Sequence, residues 1–203
     1  QMQVLFAEGI GSDLPSSFFY LSLSNTVGGA IFHDGNLLPG DAFRCGEAGH
    51  MTLIPDGKPC YCGKTGCVDA YCSARLLSDL SGGRLEDFFL GLQQNNPDYR
   101  SVWDTYLKHL AVVINNLHMI LDYDIVLGGY AEVSSAPWLD TIRRLVAEHN
   151  TFEDDGSFVK LCTYQTGAAA YGAAMDVMEE IFYGLCEFLT GFILIPKEIH
   201  QNF

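Results

Sequence analysis

Gly46-Glu-Ala-Gly-His50, followed ten residues after its histidine by Cys60-Tyr-Cys-Gly-Lys-Thr-Gly-Cys67-Val-Asp69, is the stretch on which the reading of this chain turns. Three thiols within eight residues, with an imidazole ahead of them, make a Cys3His set. Zinc takes four such ligands tetrahedrally. His50, Cys60, Cys62 and Cys67 are therefore candidate metal ligands, and Zn2+ is the candidate cofactor. Four protein ligands leave no position open for water, so the expected role is structural. Gly63 and Gly66 let the chain fold back between Cys62 and Cys67, because glycine tolerates positive φ. Free thiols packed as small apolar groups are the other reading, and it suits Cys45, Cys72, Cys162 and Cys186.

Composition bounds what surrounds this motif. The chain has 203 residues, with 11 Lys+Arg against 25 Asp+Glu and a formal charge of −14. A surface that acidic does not grip phosphate backbones by counterion release, so no nucleic-acid contact by the chain itself is expected. Hydrophobic residues at 48% and aromatics at 12% exclude a disordered, charge-dominated chain. The longest apolar stretch, Ile181 to Ile195, is broken by Glu187 and falls short of the roughly 20 residues that span a bilayer. Gln1–Glu8 has no basic n-region. Seven cysteines, an odd number, argue against a disulfide framework. These features lead us to expect a soluble, cytoplasmic protein with no membrane partner.

Outside the cysteine-rich loop, the pattern is of strands and helices in alternation. Phe18–Leu23 and Gly28–Phe32 read as two antiparallel strands joined through Ser24–Val27, and Asp34-Gly35 is a hairpin-turn signal. A glycine-punctuated stretch without periodicity follows, ending near Asp69; something other than a core must hold it. From Ser101 the apolar residues Trp103, Tyr106, Leu107, Leu110, Val113, Ile114, Leu117, Ile120 and Leu121 recur at helical spacing. His118 and Met119 flank that stripe as packing residues. Asp124–Gly129 reads as an apolar strand ending in a glycine pair, and Ser134-Ser135 with Pro137 caps a helix running to about His149. Phe158–Thr163 reads as a further strand, and Thr166–Met175 opens a helix of small residues. Such alternation predicts an α/β sheet with crossovers.

At this point the motif resembles a known signature. Glu-x-Gly-His, a spacer, then Cys-x-Cys-Gly-x-x-Gly-Cys-x-Glu is the pattern of the ROK family (repressors, open reading frames and sugar kinases), and every ligand position matches. The last acid is Asp69 here rather than Glu. Gly28–Gly35 resembles the family's second phosphate hairpin, and Ile125–Gly129 its nucleotide-side strand and glycine pair. The resemblance covers about Val4 to Met178. It implies an α/β fold of the actin-like ATPase, ribonuclease-H-like type, with residues 1–180 as the C-terminal lobe. Residues 45–72 would be its zinc and sugar-binding loop; residues 181–203, an apolar tail that departs from the family's ending, read on their hydrophobicity alone as an interface in a homodimer or larger assembly, or as packing on their own lobe. The resemblance further implies that Glu47, His50 and Asp69 contact the hydroxyls of a sugar or amino sugar. Asn25, Thr26 and Gly28 would be a phosphate-loop remnant, and Gly128 and Gly129 a nucleotide-side remnant.

The resemblance also shows what is altered. Kinase-like members read roughly Gly-Thr-Gly-x-Gly-x-Gly where this chain has Ser24-Asn-Thr-Val-Gly-Gly-Ala30. Phe6-Ala-Glu8 resembles the end of the catalytic-base segment, which places the base itself, and the first phosphate loop, before Gln1. No catalytic residue is therefore assigned. The eroded phosphate turn favours a sugar-sensing transcriptional regulator, represented by its effector-binding and oligomerisation lobe. The alternatives are a truncated hexose kinase, transferring phosphoryl from ATP to a sugar, and a zinc-stabilised interaction module without a ligand.

Overall fold

A computed structural model describes residues 15–129 and 136–162 of the chain. Its framework is a five-stranded mixed sheet in the order β3-β2-β1-β4-β5. Strand β1 (Phe18–Leu23) pairs antiparallel with β2 (Val27–His33), which pairs antiparallel with the short β3 (Asn36–Leu38). On its other side β1 runs parallel to β4 (Asp124–Gly128), and β4 runs parallel to β5 (Val159–Leu161). An antiparallel meander continued by parallel strands is the ribonuclease-H-type arrangement that the motif implied.

Every residue of β1 is buried, because both faces of this central strand meet apolar neighbours. Phe19, Leu21 and Leu23 point into one core with Ile125 and Leu127, whereas Phe18 and Tyr20 join Ala30, Phe32, Val126 and Cys162 on the opposite face. That division is the two-residue alternation of a strand read on both sides. The β2–β3 turn places Asp34 and Gly35 at φ of 46° and 76°, the left-handed pair that a tight hairpin demands.

The larger core is closed by helices. After two short helices, α1 (Asp69–Cys72) and α2 (Ala74–Ser78), come α3 (Leu85–Gln93) and the long α4 (Pro97–Leu121). Helix α4 begins six residues before Trp103, the first of the apolar stripe, because Asn96 Oδ1 accepts hydrogen bonds from the backbone N–H groups of Asp98 and Tyr99, and Pro97 occupies the first turn. Helix α3 was not expected from the sequence, although Leu85, Phe88, Phe89 and Leu92 stand at helical spacing; its Phe88 and Phe89 pack edge-on against Trp103 of α4. His118 is buried, as a packing residue should be: Nδ1 lies 2.8 Å from the Tyr123 carbonyl oxygen and the ring stacks on Phe158. Helix α5 (Leu139–Ala147) follows a short 3-10 turn at Ala136–Trp138. The capping serines 134 and 135, the small-residue segment 166–175 and the apolar tail lie outside the described residues. No described helix is long and apolar enough to cross a membrane.

Parallel strands β1 and β4 end side by side, with Ser22 paired to Gly128. The turns that leave their carboxyl ends are the usual place for ligands in such sheets. Gly129, at φ 95°, lies so close to Leu23 and Ser24 that a Cβ there would come within 2.7 Å of Ser24 Oγ.

Candidate metal centre and adjoining ligand site

Residues 51–68 fold as a small knuckle held by backbone hydrogen bonds. Thr52 and Cys67 form an isolated antiparallel bridge, as do Pro59 and Thr65. Cys60 N–H donates to the Lys64 carbonyl at 2.8 Å, and Gly66 N–H to that of Lys58 at 2.8 Å. Gly63 and Gly66 adopt φ of 83° and 79°, the reversals expected between the second and third cysteines. This fold-back, with the 3-10 turn Ala48–His50, gathers His50, Cys60, Cys62 and Cys67 so that one ligand atom from each lies within 4.8 Å of the others. Cys60 and Cys67 are buried, Cys62 is exposed, and the Sγ atoms of Cys62 and Cys67 are 3.7 Å apart.

The acid–base chemistry of this cluster suits a cation. Burial and the neighbouring Cys62 and Cys60 thiols push the Cys67 thiol up to about 12, whereas the backbone N–H of Lys64 holds Cys62 below its ordinary value. Three thiols this close cannot all ionise unaided, and a bound cation supplies the charge that would let them. The residues are therefore a possible His/Cys metal-binding cluster. Cys72 and Cys162 are buried apart from it, as small apolar groups should be.

The residues expected to meet a sugar lie around the same knuckle. Glu47 is exposed, immediately ahead of the 3-10 turn that carries His50. Tyr61, between two of the cysteines and 65% exposed, reaches back so that its hydroxyl lies 3.2 Å from His50 Nε2, with the rings edge-on at 5.3 Å. Its phenol is held above the ordinary tyrosine value first by burial and then by the negative charges of Asp69, Cys60 and Glu47. Tyr61 thus shares one electrostatic neighbourhood with both carboxylates. It was missed in the sequence, although a residue pinned between two ligands of a tight knuckle has to project from it.

Asp69, the first residue of α1, is only 6% exposed. Its Oδ1 accepts a hydrogen bond from the backbone N–H of Val27 at 2.6 Å, directly beside the β1–β2 turn. Asn25 and Thr26 are exposed at the tip of that turn, and Gly28 is buried behind it. Ser24 Oγ turns toward Ser22 Oγ at 3.2 Å. The structure therefore brings Glu47, His50 and Asp69 close to Asn25, Thr26 and Gly28, with Gly128 and Gly129 at the neighbouring strand end.

Comparison with known proteins places the chain in a family. A glucokinase of Halalkalibacterium halodurans is 28% identical over 197 residues, which is 83% of this chain and 58% of that protein. An N-acetylmannosamine kinase of Salmonella typhi is 27% identical over 164 residues, covering 77% and 55%. The chain thus spans little more than half the length of these relatives. A ROK family glucokinase from Streptomyces griseus, solved in complex with glucose and AMPPNP, superposes with a TM-score of 0.69 at 19% identity over 85% of this chain and 64% of its own. A ROK family transcriptional regulator, a homologue of the E. coli MLC protein, gives 0.68 at 21% identity over 85% and 50%. Likenesses at that identity show the fold alone, so they do not choose between kinase and regulator. The sequence relatives do, and they overturn the regulator reading: both are sugar kinases. That reading rested on side chains at Ser24, Thr26 and Ala30, and the replacement of glycines there is compatible with kinase kinship. The pattern that defines the ROK family matches residues 6–180, and this chain belongs to that family.

Proposed function

We propose that this chain is the C-terminal lobe of an ATP-dependent sugar kinase acting on a hexose or amino sugar. In that reaction a sugar hydroxyl attacks the γ-phosphorus of ATP; the new O–P bond forms as the bond to the bridging oxygen breaks, ADP leaves, and the hydroxyl proton passes to a general base. We assign that base to none of the described residues. Glu47 and His50, with the second carboxylate oxygen of Asp69, hold the sugar hydroxyls. A carboxylate accepts hydrogen bonds from adjacent hydroxyls, and an imidazole presents one nitrogen to a ligand while the other serves a metal. Backbone groups at Asn25, Thr26 and Gly28 face the transferring phosphate, and Gly128 and Gly129 leave room for the nucleotide.

His50, Cys60, Cys62 and Cys67 would hold Zn2+, which stiffens the knuckle and thereby the direction in which Glu47 and His50 point. The observation that carries the reading is the hydrogen bond between Asp69 and Val27, because it joins the acid of the sugar motif to the phosphate turn. Both kinase relatives point the same way. The test is ADP release by the full-length protein with MgATP and, in turn, glucose and N-acetylmannosamine. Turnover with either sugar supports the proposal, and none with any hexose or amino sugar removes it. We further propose a homodimer as the working assembly; sedimentation showing a monomer at every concentration would remove that part alone.

A further inference from the structure

Among the described residues, backbone approaches and one side-chain hydrogen bond dock the metal knuckle and its flanks on β2 and the β1–β2 turn. A Cβ on Gly46 would approach the Gly29 carbonyl oxygen to 2.5 Å, and one on Gly49 would collide with the Val27 carbonyl oxygen, so the loop backbone lies directly on β2. Ala74 N–H donates to the Ser24 carbonyl at 2.8 Å, tying the start of α2 to the turn. The side-chain contact is the 2.6 Å hydrogen bond from Val27 N–H to Asp69 Oδ1. Both Val27 and Asp69 are buried, and an amide bound to a carboxylate away from water is among the stronger hydrogen bonds a protein makes.

We propose that Asp69 is a positioning residue, whose carboxylate fixes the backbone at Val27 and so couples the sugar loop to the turn that faces phosphate. The proposal rests on the kinase reading for what the turn binds, but not for the clamp itself. Gly28 follows Val27 directly, so freeing the Val27 amide releases the segment whose backbone must approach a phosphoryl group closely. The shorter acid suits this role: with one oxygen committed to Val27, Asp69 has less to offer a sugar than a glutamate would.

The test has two arms. In the 203-residue chain, amide exchange followed by NMR should show the Val27 proton exchanging about tenfold faster in Asp69→Ala, and by a smaller factor in Asp69→Asn, whose amide oxygen still accepts a hydrogen bond. Bound zinc and the protection of Leu21 should stay unchanged, which separates loss of the clamp from loss of the fold. In the full-length protein, Asp69→Asn should raise the KM for ATP several-fold, on top of whatever rise in the KM for sugar follows from the altered sugar contact. Unaltered Val27 exchange in both variants would overturn the proposal, as would a rise in sugar KM with ATP KM unchanged. An unsubstituted protein that turns over no sugar would end the kinase reading, while the exchange arm would still decide the clamp.

Discussion

The hydroxyl of Tyr61 lies 3.2 Å from Nε2 of His50, so the nitrogen not needed by a metal is already engaged by this chain's own phenol. A ring nitrogen in such a hydrogen bond is not at the same time a ligand, so with this contact kept it is Nδ1 that would hold a cation. A sugar hydroxyl that uses Nε2 must first displace Tyr61. That displacement costs one exposed hydrogen bond, roughly 0.5–1.5 kcal/mol. Tyr61→Phe should therefore tighten sugar binding by about two- to fivefold at the low end of that range. Titration calorimetry with glucose and N-acetylmannosamine checks it, and weaker binding by the phenylalanine variant would show that the phenol helps the ligand rather than competing with it.

The cysteine-bearing stretch from Cys60 to Cys67 has no aliphatic hydrocarbon side chain to pack, so its order should depend on the cation. Binding of a structural zinc contributes on the order of 10 kcal/mol to the folding of such a site. Cys62→Ser replaces a thiolate with a poor ligand and leaves buried Cys60 and Cys67 facing each other without it. It should abolish stoichiometric zinc, lower the melting temperature, and raise protease sensitivity within residues 45–72 while the sheet persists. Metal analysis of the unsubstituted protein should find close to one zinc per chain; less than about half would count against the site.

The legibility of this molecule in its sequence follows its physics. Metal ligands are constrained by spacing and residue type, so the four members of the cluster were readable as a set before any geometry was known. The β1–β2 pair and the Asp34-Gly35 turn were readable because alternation and left-handed backbone leave plain marks. The start of α4 at Asn96-Pro97 was a capping signal passed over in favour of the apolar stripe. Helix α3 did carry a mark, since Leu85, Phe88, Phe89 and Leu92 stand at i, i+3, i+4 and i+7, but nine residues behind a glycine pair make a short signal, and its contact with Trp103 is long-range. Tyr61 and the Val27 contact of Asp69 depend on long-range placement, 42 residues apart in the second case, and no local pattern encodes that. The regulator reading leaned on the side chains at Ser24, Thr26 and Ala30, and it is the sequence relatives, both sugar kinases, that overturn it.

Gly49 offers a test of the docking between loop and sheet. It is buried, and its Cα faces the Val27 carbonyl with no room for a methyl group. The obstructing atom is backbone, so relief requires the loop or β2 to move. Gly49→Ala should destabilise the fold by about 1–3 kcal/mol, the range for overpacking, and should weaken sugar binding because His50 is the next residue. Gly63→Ala is the control: its φ of 83° strains the variant, but open space surrounds the added methyl. Thermal unfolding of the two zinc-loaded variants separates collision from backbone strain; equal losses would show that the contact at Val27 is soft.

His109 predicts how stability follows pH. It sits on α4 with its ring edge-on to Tyr71 at 5.0 Å, and Lys58 Nζ lies 5.1 Å from the centre of the same tyrosine ring. The Tyr71 hydroxyl accepts a hydrogen bond from Lys58 N–H at 2.6 Å, which links the knuckle to α4 through this residue. Burial, and secondarily the Lys58 charge, hold the His109 imidazole below its ordinary value. The unfolded chain therefore takes up its proton first as pH falls through about 6.5, and the native state loses ground from there until the folded imidazole also protonates. Above that range the group costs the native state nothing. The melting temperature of the unsubstituted chain should thus fall between pH 7.5 and 5.5 by more than that of His109→Gln, each compared with itself. Comparing the two proteins at each pH cancels the zinc affinity that both lose in acid. Lys58→Met should shrink the difference, because one of the two causes is then gone; an identical pH response in parent and His109→Gln would show that the imidazole titrates as freely folded as unfolded.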